Sequence, residues 1–169
     1  MSYTVAYKID TDGKLEEIAE FSNSHGFGPF VWGAISDKYF GDEFAWMSHV
    51  KEIWPMWKDP RVPKHWSIAL LVTYDRAVIE YERFKEVAKA LRDFVTDVGI
   101  RGRACHLLAI ADLLEKSNPC KGMCFYGTSL SDNPWYEWDN EKEENLPYDF
   151  DKEKKHFFVG KATDERQNP

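Results

Sequence analysis

The clearest rhythm of apolar and polar positions in this chain runs from Trp66 to Gly99. It opens with an apolar run, Trp66 to Tyr74, that is too short to span a bilayer and contains β-branched residues, which predicts a buried strand. Ile68, Leu70 and Val72 alternate with the equally apolar Ala69 and Leu71, so the strand is expected at the centre of a sheet. Asp75 is placed to cap a helix. Beyond it Val78, Tyr81, Phe84, Val87, Ala88, Leu91, Phe94, Val95 and Val98 recur every three or four residues, with charged residues between. That spacing predicts one long amphipathic helix, ended by Gly99 in a left-handed conformation with Ile100 folding back. Both elements read as scaffold.

The remaining patterns are shorter. Ser2 to Asp10 alternates as a half-buried strand, and Thr11-Asp12-Gly13 marks a turn. Leu15 to Phe21 fits either a helix or a hairpin partner, and the preceding turn favours the strand. The loop His25-Gly26-Phe27-Gly28-Pro29 has glycines able to approach an anion, but no phosphate-loop spacing follows. Pro29 suits the start of a helix through Val31, Trp32, Ile35 and Tyr39, with Gly41 as its stop. Asp42 is expected to cap a second helix carrying Phe44, Met47, Val50 and Trp54, ended by Pro55 and followed by an irregular connection to Pro63. A helix is predicted from about Ala104 to Lys116, strands over Gly122–Leu130 and Lys155–Ala162, and a long acidic loop over Ser131–Asp151. The order does not alternate regularly. It predicts an α+β single domain over 1–162, a mixed or antiparallel sheet of about four to five strands with helices mainly on one face, and a polar tail over 163–169.

Composition narrows the function classes. A net charge of −7 disfavours direct nucleic-acid binding through phosphates, and it is compatible with a basic or nucleic-acid-binding protein as partner. Seven Trp, eight Tyr and eleven Phe exclude wholesale disorder. Neither a signal-peptide pattern nor an apolar run of membrane length is visible, so no membrane partner is expected. Three cysteines, an odd number, point to a reducing interior and hence to the cytoplasm.

Candidate chemistry is sparse. Cys105, His106, Cys120 and Cys124 supply the right number of ligands for zinc, but the Cys120–Cys124 spacing lacks the tight knuckle of such sites. A cysteine nucleophile with His25, His49, His65 or His156 would have to meet in space, and no motif selects a pair. Arg101 and Arg103 could grip an anion, and more simply neutralise the carbonyls at a helix end. No metal, cofactor or catalytic residue is assigned on this basis.

The strongest local feature is Asn133 to Asp139, where Trp135, Tyr136 and Trp138 crowd a loop too tightly for all to turn inward easily. From Asp139 to Glu153 seven acids face two lysines, a net −5. The expectation is therefore a small acidic protein-interaction domain without catalytic activity. It would dock through Trp135, Tyr136, Trp138, Asp139, Glu141, Glu143 and Glu144. One alternative is an inhibitor that mimics nucleic-acid charge, of the anti-restriction or anti-CRISPR type. The other is a cysteine- or zinc-dependent hydrolase.

Overall fold

The computed structural model describes residues 3–22, 26–99, 106–128 and 132–165, and the sheet at its centre begins with the period-two segments. β1 (Tyr3–Ile9) and β2 (Leu15–Ser22) form a hairpin, with Gly13 at a φ of 83° in the turn, where a Cβ would be strained. β4 (Gly122–Gly127) lies antiparallel on the other side of β1. β3 (Ala77–Glu80) follows antiparallel to β4, and the two-residue β7 (Phe157–Phe158) closes the row in parallel with β3. The order β2-β1-β4-β3-β7 makes a five-stranded mixed sheet in an α+β fold.

Successive residues of these strands feed two separate cores. Ala6, Ala77, Ile79, Met123 and Phe125 face the helices, while Val5, Tyr7, Ile9, Val78 and Cys124 face the other way. On the helical side stand α1 (Gly28–Phe40), α3 (Lys64–Val72), α4 (Phe84–Val98) and α5 (His106–Lys116). Between α1 and α3 the chain makes 3-10 turns at Ala45–Met47 and Trp54–Lys58 around a one-turn helix, α2 (Val50–Ile53). On the opposite face Trp135, Tyr148 and Phe150 cover the second core, carried by a small separate hairpin of β5 (Tyr136–Asp139) and β6 (Glu144–Pro147).

Several expectations are corrected. Trp66–Tyr74 is not a strand but the helix α3, and every residue from Trp66 to Val72 is buried. A helix buried on all sides shows no polar stripe, so its run of apolar residues is indistinguishable from that of a central strand. The long helix is likewise shortened. Its first turns are β3, which lies between β4 and β7 in the sheet, joined through a 3-10 turn at Tyr81–Arg83 to α4. Asp75 therefore caps nothing. Its neighbour Arg76 takes a φ of 61°, so the chain turns sharply there into β3. Gly99 does have a positive φ, 77°, but its ψ of 148° is not that of a left-handed helical cap, and Ile100 lies outside the described residues.

Elsewhere the punctuation holds. Pro29 stands in the first turn of α1 and Gly41 ends it in the left-handed region. The helix expected after Asp42 is broken into the turns named above, although the Asp42 carboxylate does accept from the Phe44 N–H at 2.9 Å. The acidic loop over Ser131–Asp151 contains the β5–β6 hairpin. The last strand shrinks to β7, and α6 (Val159–Glu165) follows, burying Thr163 and carrying the first residues of the segment read as tail. α6 packs on α3 and β3.

Candidate functional site

The β5–β6 hairpin carries most of the residues expected to dock a partner, and it splits them. Trp135 is wholly buried. Its Nε1 donates to the Phe125 carbonyl at 3.1 Å, and its ring meets Tyr148 edge-on at 5.5 Å. It pins the hairpin to the sheet and presents nothing to solvent, which corrects its place in a docking surface. Tyr136 is half-buried against the Tyr7 ring. Asp139 is spent locally: its Oδ1 accepts from the N–H groups of Glu141 and Lys142 at 2.8 and 3.1 Å, shaping the turn. Trp138, 58% exposed, is left at the tip with the exposed Glu141, Glu143 and Glu144. Further along, Asp149 pairs with Lys152 and Asp151 with Lys121, so the acidic run is partly neutralised.

Among the described residues the cysteine and histidine candidates do not converge. Cys120 and Cys124 are buried, and burial raises both thiols, which opposes the thiolate needed for attack or metal binding. His106 packs near Phe21, and His49 sits beside the Ser48 hydroxyl. His156 stacks on Phe150 at 4.1 Å and exchanges a hydrogen bond with the Tyr148 hydroxyl at 2.9 Å. Among the described residues no group of three or more His, Cys, Asp or Glu side chains is placed to hold a metal ion. His25, Arg101, Arg103 and Cys105 lie outside the described residues.

A second aromatic and acidic surface lies in the segment between α1 and α3. Phe40, Phe44, Met47, Val50 and Trp54 are five of the six large hydrophobic side chains exposed among the described residues, and Met47 is 63% exposed. This segment, the ridge, folds back on α1 in short turns, with Phe40 against His49 at 6.5 Å. Ala45, Ile53 and Met56 take the buried positions instead, and Trp54 rests on Tyr74, whose hydroxyl donates to the Trp54 carbonyl. From Asp37 to Trp54 four acids against two lysines leave the surface at net −2. The sequence pattern puts Phe44, Met47, Val50 and Trp54 on one helix after Asp42, and so does not single them out as an exposed surface. The visible signal was a competing apolar set, Ala45, Ile53 and Met56, that one helix could not bury together with the first.

Beside the ridge, a groove of about 490 Å3 runs between α1 and the C-terminal end of α4. Phe30, Phe44, Trp46 and Trp66 are its aromatic lining residues, and Asp37, Glu43 and Asp97 its acidic ones. Asp97 Oδ2 accepts from Trp66 Nε1 at 2.9 Å and is 2.6 Å from His65 Nε2. The Trp66 bond first, and the His65 bond second, hold the Asp97 carboxyl below its ordinary value, so it is charged at neutral pH. The Lys38 ammonium lies over the Trp66 ring, 4.1 Å from its centroid.

Compared with protein-family models, with curated proteins and with solved structures, the chain matches none.

Proposed function

We propose that this protein acts by docking on another protein through the aromatic and acidic ridge from Phe40 to Trp54, and that the partner presents a basic surface. The carrying observation is concentration: among the described residues, five of the six exposed large hydrophobic side chains lie within that one segment. Apolar residues scattered along a chain are ordinary on a surface, whereas several concentrated in one segment among charged residues favour a place where another molecule excludes water. The net charge of −7 favours a basic or nucleic-acid-binding partner over nucleic acid itself, and it speeds encounter through long-range attraction. The proposed setting is the cytoplasm, because the buried Cys120 and Cys124 are both unpaired, as in a reducing interior. Among the described residues no helix is long and apolar enough to cross a membrane.

The test is site-specific photo-crosslinking in the native host, with the crosslinker at position 47 and separately at position 138. A single protein captured from position 47, and lost when Phe44→Asp is added, supports the reading. A complex that survives Phe44→Asp together with Met47→Asp overturns it. A sharper form is an inhibitor that sets carboxylates where phosphates would sit, favoured by the exposed Glu141, Glu143 and Glu144 at the hairpin tip. In that case DNA or RNA displaces the captured partner, and the complex weakens steeply with salt.

A further inference from the structure

The groove beside the ridge has a chemistry of its own. Its carboxylates outnumber its cations: Asp37, Glu43 and Asp97 stand against Lys38 alone. Asp97 is engaged by Trp66 and His65, with the Lys38 charge close by, but Asp37 and Glu43 form no ion pair among the described residues. An anion entering here would meet net negative charge. A purely apolar molecule would strip water from two unpaired carboxylates and give nothing back. A cation on an apolar stem meets neither penalty. Its charge faces Asp37 and Glu43, and its stem and flanks lie against Phe30, Phe44 and Trp46, whose ring faces carry negative potential. The protein already displays that arrangement once, in the ammonium of Lys38 seated over Trp66 at 4.1 Å.

We infer that this groove is a binding site for an organic cation, an alkylammonium or alkylguanidinium, held by Asp37 and Glu43 and by the aromatic walls. The volume of about 490 Å3 suits a single stem of that kind with its bound water. Two features of the walls set the fit. Gly33 leaves the floor of the groove open next to the Glu43 carbonyl, where an added Cβ would come within 3.3 Å. Lys38 competes for the aromatic face of Trp66, so the resident ammonium limits how tightly a second cation is held.

The site is tested on the full chain by titrating n-butylguanidine, a guanidinium on a four-carbon stem, and following the indole N–H signals of Trp46 and Trp66 by NMR. The matched probes are pentanol, which is neutral, and valerate, which is anionic. Butylguanidine should move both signals and bind about tenfold or more tightly than either control, with the difference shrinking in high salt. Asp37→Asn with Glu43→Gln should weaken butylguanidine roughly tenfold, while Lys38→Leu should tighten it severalfold by clearing Trp66 and removing a like charge. The gain on Lys38→Leu separates binding from a merely structural role for these residues. Equal binding of pentanol and butylguanidine, or no loss in the double carboxylate variant, overturns the assignment. A blocked Gly-Arg-Gly peptide distinguishes the source of the cation: binding like butylguanidine's marks the groove as a receptor for a basic side chain of another protein, and exclusion marks it as a site for a free amine. Because the titration needs no partner, its outcome is independent of whether the ridge docks one.

Discussion

Two segments of this protein are rich in aromatics and acids, and they use them in opposite ways. The β5–β6 hairpin lies over a sheet face that would otherwise be bare, so its most apolar side chain, Trp135, turns inward and becomes core. The ridge from Phe40 to Trp54 lies over helices whose core is filled from other positions, so its aromatics have nowhere to go but outward. Aromatic density in a sequence therefore says little about exposure. What decides it is whether the surface beneath still has an unfilled apolar face.

The contrast is open to direct attack. The largest expected effect is that of Trp135→Ala, which removes a wholly buried ring and its bond to Phe125. It should cost about 3–5 kcal/mol in chemical denaturation. A cost near zero would mean that the hairpin is not anchored as described. Next, Phe44→Asp with Met47→Asp should leave the denaturation midpoint nearly unchanged while weakening the partner complex by roughly 30-fold or more, about 2 kcal/mol. A large fall in stability instead would move the ridge to the same side of the comparison as Trp135.

A smaller effect concerns pH. Burial first, and then the charges of Lys154 and Arg76, lower the affinity of His156 for a proton in the folded state. The unfolded chain then binds more protons than the folded one below about pH 6.5, so stability should fall as the pH drops from there through the lowered value. His156 is half-buried beside the hairpin, stacked on Phe150 and bonded to the Tyr148 hydroxyl. Urea midpoints measured between pH 7.5 and 5 should therefore show a slope that His156→Gln removes. The smallest effect is that of Trp138→Ala, which should change stability by no more than about 0.5 kcal/mol, since the side chain stands in solvent. The 0.5 kcal/mol bound against the loss at Trp135, three residues away, is the sharpest form of the contrast within one hairpin.

What could be read from the sequence follows from which elements have one wet face. β1 alternates, α1 is bracketed by Pro29 and Gly41, and α5 keeps an apolar stripe of Leu107, Ile110, Ala111 and Leu114 with charge around it. Each was legible because solvent writes a period into it. α3 has no wet face and so no period. β3 is only four residues long, and Val78 and Tyr81 happen to stand in register with the stripe of α4, which hid the boundary at Phe84. The site suffered from the reverse problem. Trp135, Tyr136 and Trp138 could be counted but not oriented, because Phe125 and Tyr148, which capture Trp135, lie ten and thirteen residues away. The groove draws on α1, the turn after it, α3 and α4, and no local window contains all four.

The parallel pairing of β3 with β7 carries a consequence for synthesis. β3 is laid down around residue 78, yet β7, which covers its outer edge, arrives some eighty residues later, with Phe157 and Phe158. On the ribosome, most of the chain can emerge and collapse while that edge still offers free backbone groups to any neighbouring strand. Crowded polysomes, with several such chains side by side, are where this protein is most exposed to pairing with the wrong copy. The interval ends when β7 docks and α6 closes over it.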